Sequence, residues 1–302
     1  MVEQKVCTQF IKKMENAEKC LTAAGLNSAD VQKLRVANYE FISVPDDDVE
    51  SKRQINRFIV ENEHLGKPHK RTTHRFVAKY RGHLAGVVTF STPNSFSHIL
   101  GKDNRDKEKL ISRGATSAIA CKNLGSALNA FAIDWMVQNT EFRIFTAYSD
   151  PEASELGTIY KALNFIFLGT TYGTRILLKD PIRPEKGWFS DREARKLSSY
   201  KRLAKKAGIK WESHWNSDWH IHWDLMPSEI EDKLKSLCRE FIKSCEWRKP
   251  PRKSKWVFIK GRTRKETQKY LNLFKKLNPQ MIHGNKLGMA YPSELLRGLY
   301  EK

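Results

Sequence analysis

The sequence predicts a mixed α/β protein, a sheet flanked by helices, that runs on into a basic, α-rich C-terminal extension. Three observations carry this expectation. Between positions 38 and 179, strand-like and helix-like runs alternate in the order strand, helix, strand, strand, strand, helix, strand, helix, strand, strand. Two adjacent strand-like runs within 73–93 are joined by a turn containing Gly82, the pattern of a hairpin. The net charge is +20, and residues 181–302, with 29 Lys+Arg against 14 Asp+Glu, hold +15 of it. The chain divides accordingly into an N-terminal helical segment (1–36), an α/β domain (37–180) and a basic region (181–302).

Taken in order, 1–36 reads as helix, stopping near Gly25 and Asn27, with Ser28 or Asp30 able to cap a new start. Asn38–Val44 is rich in β-formers. Pro45 and Asp46–Asp48 then open a helix, where negative charge suits the positive end of the helix dipole, and Ile55, Phe58 and Ile59 follow at helical spacing. Residues 101–109 are a polar loop, and Leu110–Cys121 is a strand of small residues. Leu124, Leu128, Phe131 and Trp135 fall on one helical stripe. Phe142–Tyr148 is an apolar strand, Pro151–Leu163 a helix, and Ile166–Leu168 and Arg175–Leu178 are short strands. In the basic region, 190–208 reads as one strongly basic helix and Pro227–Cys245 as another. A basic linker then leads to a strand at Trp256–Lys260 and a last helix at 264–278.

No apolar run approaches the roughly 20 residues that span a bilayer, and the N-terminus lacks the apolar core of a secretory signal, so no membrane partner is expected and the cytoplasm is the expected location. Five cysteines without C-x-x-C spacing read as reduced thiols rather than as a disulfide frame or zinc site. The polarised charge points to a polyanion, with DNA the expected partner. The candidate phosphate contacts are Arg195, Lys196, Lys201, Arg202, Lys205 and Lys206 on the basic helix, and Arg248, Lys249, Arg252 and Lys253 in the linker, which prolines hold extended. Trp211, Trp215, Trp219 and Trp223 recur four apart, on one helical stripe or one strand face. Indoles can stack on unpaired bases, although at least two of these read as core. His214, His220 and His222 lie among them without a carboxylate or cysteine pattern to make a metal site.

Two junctions carry the chemistry. At Lys122, Asn123, Leu124, Gly125, Ser126 and Ala127 a strand gives way to a helix. Gly125 admits a ligand close to the backbone, the helix amides point outward, and Lys122 adds a cation, which is a phosphate-binding arrangement. At the second, Asp150 ends a strand, where open α/β sheets place ligands, and Tyr160 lies on the helix that follows.

Lys122-x-x-Gly125-x-Ala127 resembles the acyl-CoA pyrophosphate loop of the GNAT acetyltransferase superfamily, with Lys where that motif has Gln or Arg. The stretch 147–169 resembles the Tyr-x-Asp-Pro…Gly-Thr-x-Tyr-x-Ala-x-Asn element of the phage Mom-like DNA-modification family within that superfamily. The matched residues are Tyr148, Asp150, Pro151, Gly157, Thr158, Tyr160, Ala162, Asn164 and Phe165. The resemblance implies a GNAT-like mixed sheet over roughly 38–179 and transfer of a group onto a base amine in DNA, the type activity being conversion of adenine to an N6-carbamoylmethyl form. It also implies phage origin, with protection from host restriction. Acetyl-CoA or a related acyl donor, and an iron whose ligands it does not identify, are implied with it; His74 and His83 are candidates for those ligands. Asp150 is then the residue that orients or deprotonates the amine and Tyr160 the general acid, with neighbouring Ser149 and Asn164 completing the candidate catalytic set. The alternatives are an N-acetyltransferase acting on a protein or small-molecule amine, and a non-catalytic nucleic-acid-binding scaffold.

Overall fold

The structure is a computed structural model that describes residues 7–93, 98–171 and 176–279. It divides into two compact units: residues 1–171 with 253–302, and residues 172–252.

The first unit opens with three short helices, α1 (Thr8–Glu15), α2 (Ala17–Ala23) and α3 (Ser28–Lys33). Asn27 caps α3 by accepting from the Asp30 amide, and the Asp30 carboxylate returns the bond to the Asn27 amide. There follow β1 (Glu40–Val44), α4 (Val49–Asn62), β2 (Thr72–Tyr80), β3 (His83–Ser91), β4 (Glu108–Thr116), α5 (Leu124–Asn139), β5 (Ile144–Ser149), α6 (Thr158–Ala162) and β6 (Ile166–Thr170). Asp48 caps α4 through the Ser51 amide, as its acidic entry predicts.

The second unit supplies β7 (Leu177–Lys179), β8 (Trp188–Ser190), α7 (Asp191–Ala194), α8 (Leu197–Lys206), β9 (Asn216–Ser217), β10 (His220–Ile221), α9 (Ser228–Ser244) and β11 (Glu246–Arg248). The chain then returns to the first unit with β12 (Ser254–Ile259) and α10 (Arg264–Leu277).

The main sheet has seven strands in the order β1-β2-β3-β4-β5-β12-β6. All neighbours are antiparallel except β4 and β5. One face packs under α5, where Phe76, Phe90, Phe145, Phe167 and Trp256 join Leu124, Leu128 and Ile133 in the largest core cluster. On the other face, Ile55, Phe58 and Ile59 of α4 cover Val77, Val87 and Ala115, while Tyr270 and Phe274 of α10 cover Ile144, Val257 and Ile259.

Four sequence expectations change. The α/β domain does not end at 180, because β12 takes the slot between β5 and β6. Residues 172–252 are therefore an insertion whose two ends are tied together, the Thr171 amide donating to the Lys253 carbonyl at 2.8 Å. The strand expected at Arg175–Leu178 is Leu177–Lys179, with Arg175 outside the described residues, and it belongs to a separate sheet of order β11-β7-β8. The basic helix expected over 190–208 is broken into α7 and α8 at Arg195–Lys196, where Lys196 turns extended (φ −77°, ψ 156°). The 1–36 helix is likewise three helices. No helix among the described residues is long and apolar enough to cross a membrane.

Candidate active site at the open end of the sheet

β4 and β5 pair only at Glu108–Leu110 with Ile144–Thr146. Beyond that, β4 stays with β3 as far as Thr116, and β5 stays with β12 as far as Ser149. The two parallel strands therefore splay into a wedge, and because they run the same way, both C-terminal ends lie at its mouth. The loop 117–123 leads from one end into α5; residues 150–157 lead from the other into α6. The two meet at Gly125, where an added Cβ would stand 3.4 Å from Ile159 Cδ1 and 3.5 Å from Thr116 Cγ2.

The loop is pinned from below. Tyr39 Oη donates to the Ile119 carbonyl at 2.6 Å and accepts from the Cys121 amide at 2.9 Å. Burial, ahead of all other causes, pushes this phenol up to about 12. Asn123 adopts the left-handed conformation (φ 67°) immediately before α5, and Ser126 Oγ donates back to the Asn123 carbonyl. Leu124 is buried as the helix anchor, whereas Lys122 and Asn123 are exposed. Beside them opens a cleft of about 670 Å³ lined by Gln32, Arg35, Cys121, Lys122 and Asn123, among others. First-turn amides and these two nearby cations could hold a phosphate group.

At the second junction, Asp150 is only 3 % exposed. One carboxylate oxygen accepts from the Glu152 amide at 3.1 Å, so Asp150 is the cap that its position suggests. The other lies 2.9 Å from Lys253 Nζ. Ser254 pairs with Ser149, so the preceding Lys253 comes opposite Asp150. Lys253, expected as a phosphate contact, is thus paired with Asp150.

Further charges extend from there. The Asp150 amide donates to Glu155 Oε2 at 3.2 Å, and Glu155 Oε1 lies 2.9 Å from His64 Nδ1. The same nitrogen is 3.2 Å from Glu63 Oε1, and Arg113 Nε is 3.8 Å from the other Glu63 oxygen. Neither approach to His64 has hydrogen-bond geometry, so the contact is one of charge. Burial pulls the His64 pKa down, but Glu155 and Glu63 outweigh it and hold the imidazole above its usual value.

Tyr160 packs its ring against Phe165 and Trp256, at centroid distances of 5.3 and 5.9 Å. Burial, reinforced by Glu155 and Glu63, raises its phenol well above the ordinary value, so the group keeps its proton. The single helix expected over 151–163 is interrupted. A 3-10 turn at Pro151–Ala153 gives way to α6 through Ser154 and Gly157, both left-handed (φ 57° and 71°). Gly157 is required: a Cβ there would fall 2.4 Å from Trp256 Cζ2. Asp150 and Tyr160 are therefore not carried on one helix; Glu155 accepts from the Asp150 amide and also acts electrostatically on Tyr160.

The remaining candidates have other surroundings. Ser149 Oγ accepts the Trp256 indole at 3.0 Å, which fixes the ring that supports Tyr160. Asn164 is exposed at φ 58°, in the left-handed turn that ends α6, and its backbone conformation accounts for it. His74 lies against Trp135 and Phe142, and His83 is exposed at the hairpin turn. Among the described residues no group of three or more His, Cys, Asp or Glu side chains could hold a metal, so the implied iron has no ligand set among them, and His214, His220 and His222 form none. Sequence reasoning missed His64, Glu63 and the role of Lys253; only Glu155, inside the matched stretch, carried a signal.

Of the candidate phosphate contacts, Arg195 and Lys196 are held by Asp191 and Glu193 at 2.8 and 3.0 Å. Lys201, Lys205, Lys206, Lys249 and Arg252 are exposed. Arg202 lies over the Phe241 ring and Arg248 over Trp188.

A mixed sheet flanked by helices, with the Lys122–Ala127 loop leading from a strand into α5, is the arrangement that the sequence resemblance implied. The Mom protein family matches this chain over residues 13–214. No curated protein matches it. Similar solved structures include the ribosomal-protein-S5-alanine acetyltransferase from Vibrio fischeri, at 16% identity and TM-score 0.33, covering 44% of this chain and 82% of that one. A GNAT family acetyltransferase from Elizabethkingia anophelis with acetyl-CoA bound aligns at 10% identity and TM-score 0.32, over 74% of this chain and 99% of that one. The ribosomal-protein-S18-alanine N-acetyltransferase from Escherichia coli aligns at 13% identity and TM-score 0.30, over 47% and 83%.

Proposed function

This chain belongs to the Mom protein family, and from that premise we propose that it is a transferase that modifies an amine on a DNA base, using acetyl-CoA or a related acyl donor. The observation that carries the reading is Asp150. It is a nearly buried carboxylate paired with Lys253 at the mouth of the β4–β5 wedge, alongside a loop suited to a pyrophosphate.

Lys122, Arg35 and the first-turn amides of α5 would hold the donor's phosphates, at the cleft that Lys122 and Arg35 line. When bound, such a donor supplies an activated acyl carbon and a thiolate leaving group. The acceptor is the harder partner, because the lone pair of an exocyclic base amine is delocalised into the ring and assistance in removing its proton matters. The Asp150 carboxylate receives or orients that proton, and Lys253 supplies the counter-charge that keeps a carboxylate in so enclosed a place. Tyr160 holds its proton on Oη, as a donor to a leaving group must, and Trp256 and Phe165 fix its ring. The exposed Lys201, Lys205, Lys206, Lys249 and Arg252 would contact phosphates without reading sequence. A base inside a duplex would have to be extruded to reach such a site. In a phage, the modification would shield DNA from host restriction.

Mass spectrometry of nucleosides from the DNA of cells expressing the protein tests this. A new mass-shifted nucleoside is the expected result. Unmodified DNA accompanied by acetyl transfer to protein or small-molecule amines would redirect the reading to an amine N-acetyltransferase.

A further inference from the structure

The inserted unit contains a feature that the active site does not use. Four tryptophans recur between 211 and 223, and three of them serve the unit's own core. Trp215 is buried, and Trp211 and Trp223 pack with it around Tyr200, Leu203 and Leu234. Trp219 does not. It is 80% exposed, more than any other large apolar side chain among the described residues, and it sits at the turn between β9 and β10.

The hairpin that carries it is anchored rather than loose. The His222 amide donates to the Trp215 carbonyl at 2.9 Å, and Trp211 Nε1 donates to Asn216 Oδ1 at 2.9 Å. Ser217 Oγ and His222 Nε2 stand 2.7 Å apart. Asp218, left-handed at φ 49°, completes the turn that presents the indole, and His220 lies edge-on to it at 6.3 Å. A fixed hairpin with a bare indole at its tip gains from that indole only when something flat and apolar covers it. Charge identifies the occupant: residues 172–252 carry 19 Lys+Arg against 12 Asp+Glu, a net +7, and α8 exposes Lys201, Lys205 and Lys206. A partner with flat faces and a dense negative backbone is nucleic acid.

We propose that Trp219 is the stacking residue of the inserted unit, placing its indole against a nucleobase of bound DNA. The inference rests on the reading of DNA as the acceptor and adds to it a base-contacting residue outside the active site. Stacking and phosphate contacts differ in how they respond to salt. Loss of a stacked ring lowers affinity at every salt concentration, whereas loss of a phosphate contact also flattens the salt dependence.

The test is a salt titration of binding to a short fluorescein-labelled DNA duplex containing 2-aminopurine, with wild-type protein, Trp219→Ala, Trp219→Phe and Lys205→Ala. Trp219→Ala is expected to bind about tenfold more weakly with an unchanged salt slope. Trp219→Phe should retain most of the affinity and of the 2-aminopurine signal, and Lys205→Ala should lower the slope by about one. Wild-type affinity in Trp219→Ala, or a changed slope, would overturn the stacking role alone. No salt-dependent binding of DNA by the wild-type protein would overturn the DNA reading together with it.

Discussion

The two units use their aromatic side chains differently. In the first, Phe76, Phe90, Phe145, Phe165, Phe167 and Trp256 lie in one core beneath α5. In the inserted unit, Trp188, Trp219 and Trp247 are exposed, and Arg248 and Lys249 stand over two of their rings at 4.7 and 5.7 Å. The first arrangement fixes a backbone: Trp256 supports Tyr160, forces glycine at 157 and takes Ser149 as its hydrogen-bond acceptor, so the candidate site is specified by packing. The second leaves rings and cations on the surface. Rigid placement of a few reacting groups and broad, sequence-independent attachment are separate physical tasks, and the proposed function assigns them to separate units.

A pair of glycines with the same φ separates the two units most sharply. Gly157 and Gly208 both sit at φ +71°, but an added Cβ meets Trp256 at 2.4 Å in the first and nothing within 4 Å in the second. Gly157→Ala should cost about 3 kcal/mol or more from overpacking and strain together, and Gly208→Ala about 1 kcal/mol from strain alone. Chemical denaturation reads both, and equal costs would mean that Trp256 yields to the methyl group.

Next in size is acid sensitivity within the first unit. Burial, and then Lys109, lowers the His74 pKa to about 4 from 6.5, so the unfolded chain takes up this proton before the folded one does. Stability from this group is complete above pH 6.5 and is lost as pH falls towards 4. We expect a loss of about 2 kcal/mol after allowance for solvent screening. His74→Phe, among Trp135 and Phe142, should flatten that limb of a urea-midpoint curve against pH.

His64 should behave in the opposite sense. Its folded pKa is raised by Glu155 and Glu63, so its contribution is complete below pH 6.5 and is lost as pH rises through the raised value. His64→Gln should therefore be most destabilised relative to wild type in mild acid, and a deficit that grew with pH would contradict the charge cluster. The smallest effect belongs to the surface: Trp219→Ala should change unfolding free energy by less than about 0.5 kcal/mol, so that any loss of DNA affinity is separable from folding.

Local chemistry made much of this legible. The strand at 40–44, the Asp48 cap, the hairpin and the stripe of α5 all follow from spacing and end signals within a few residues. What escaped was set by partners far along the chain. The break between Pro151 and α6 exists because Gly157 lies on Trp256, and nothing near 157 announces it. Lys253 has the same local context as the other linker cations, and only the register of β12 against β5 sets it beside Asp150. His64 gains its meaning from Glu155, which is equally distant in sequence. The four-residue tryptophan spacing suggested one stripe, whereas the turn at Asp218 separates Trp219 from the other three.

The role proposed for Asp150 is chemical, beyond capping a turn. The direct measurement is the level of modified nucleoside in cells expressing Asp150→Asn beside wild type, with the melting temperature of both purified proteins. Asparagine keeps a cap acceptor for the Glu152 amide but cannot take up a proton. The account predicts a fall in modification of about a hundredfold or more with nearly unchanged melting. Modification at the wild-type level, or a fall that only follows a loss of melting temperature, would contradict it.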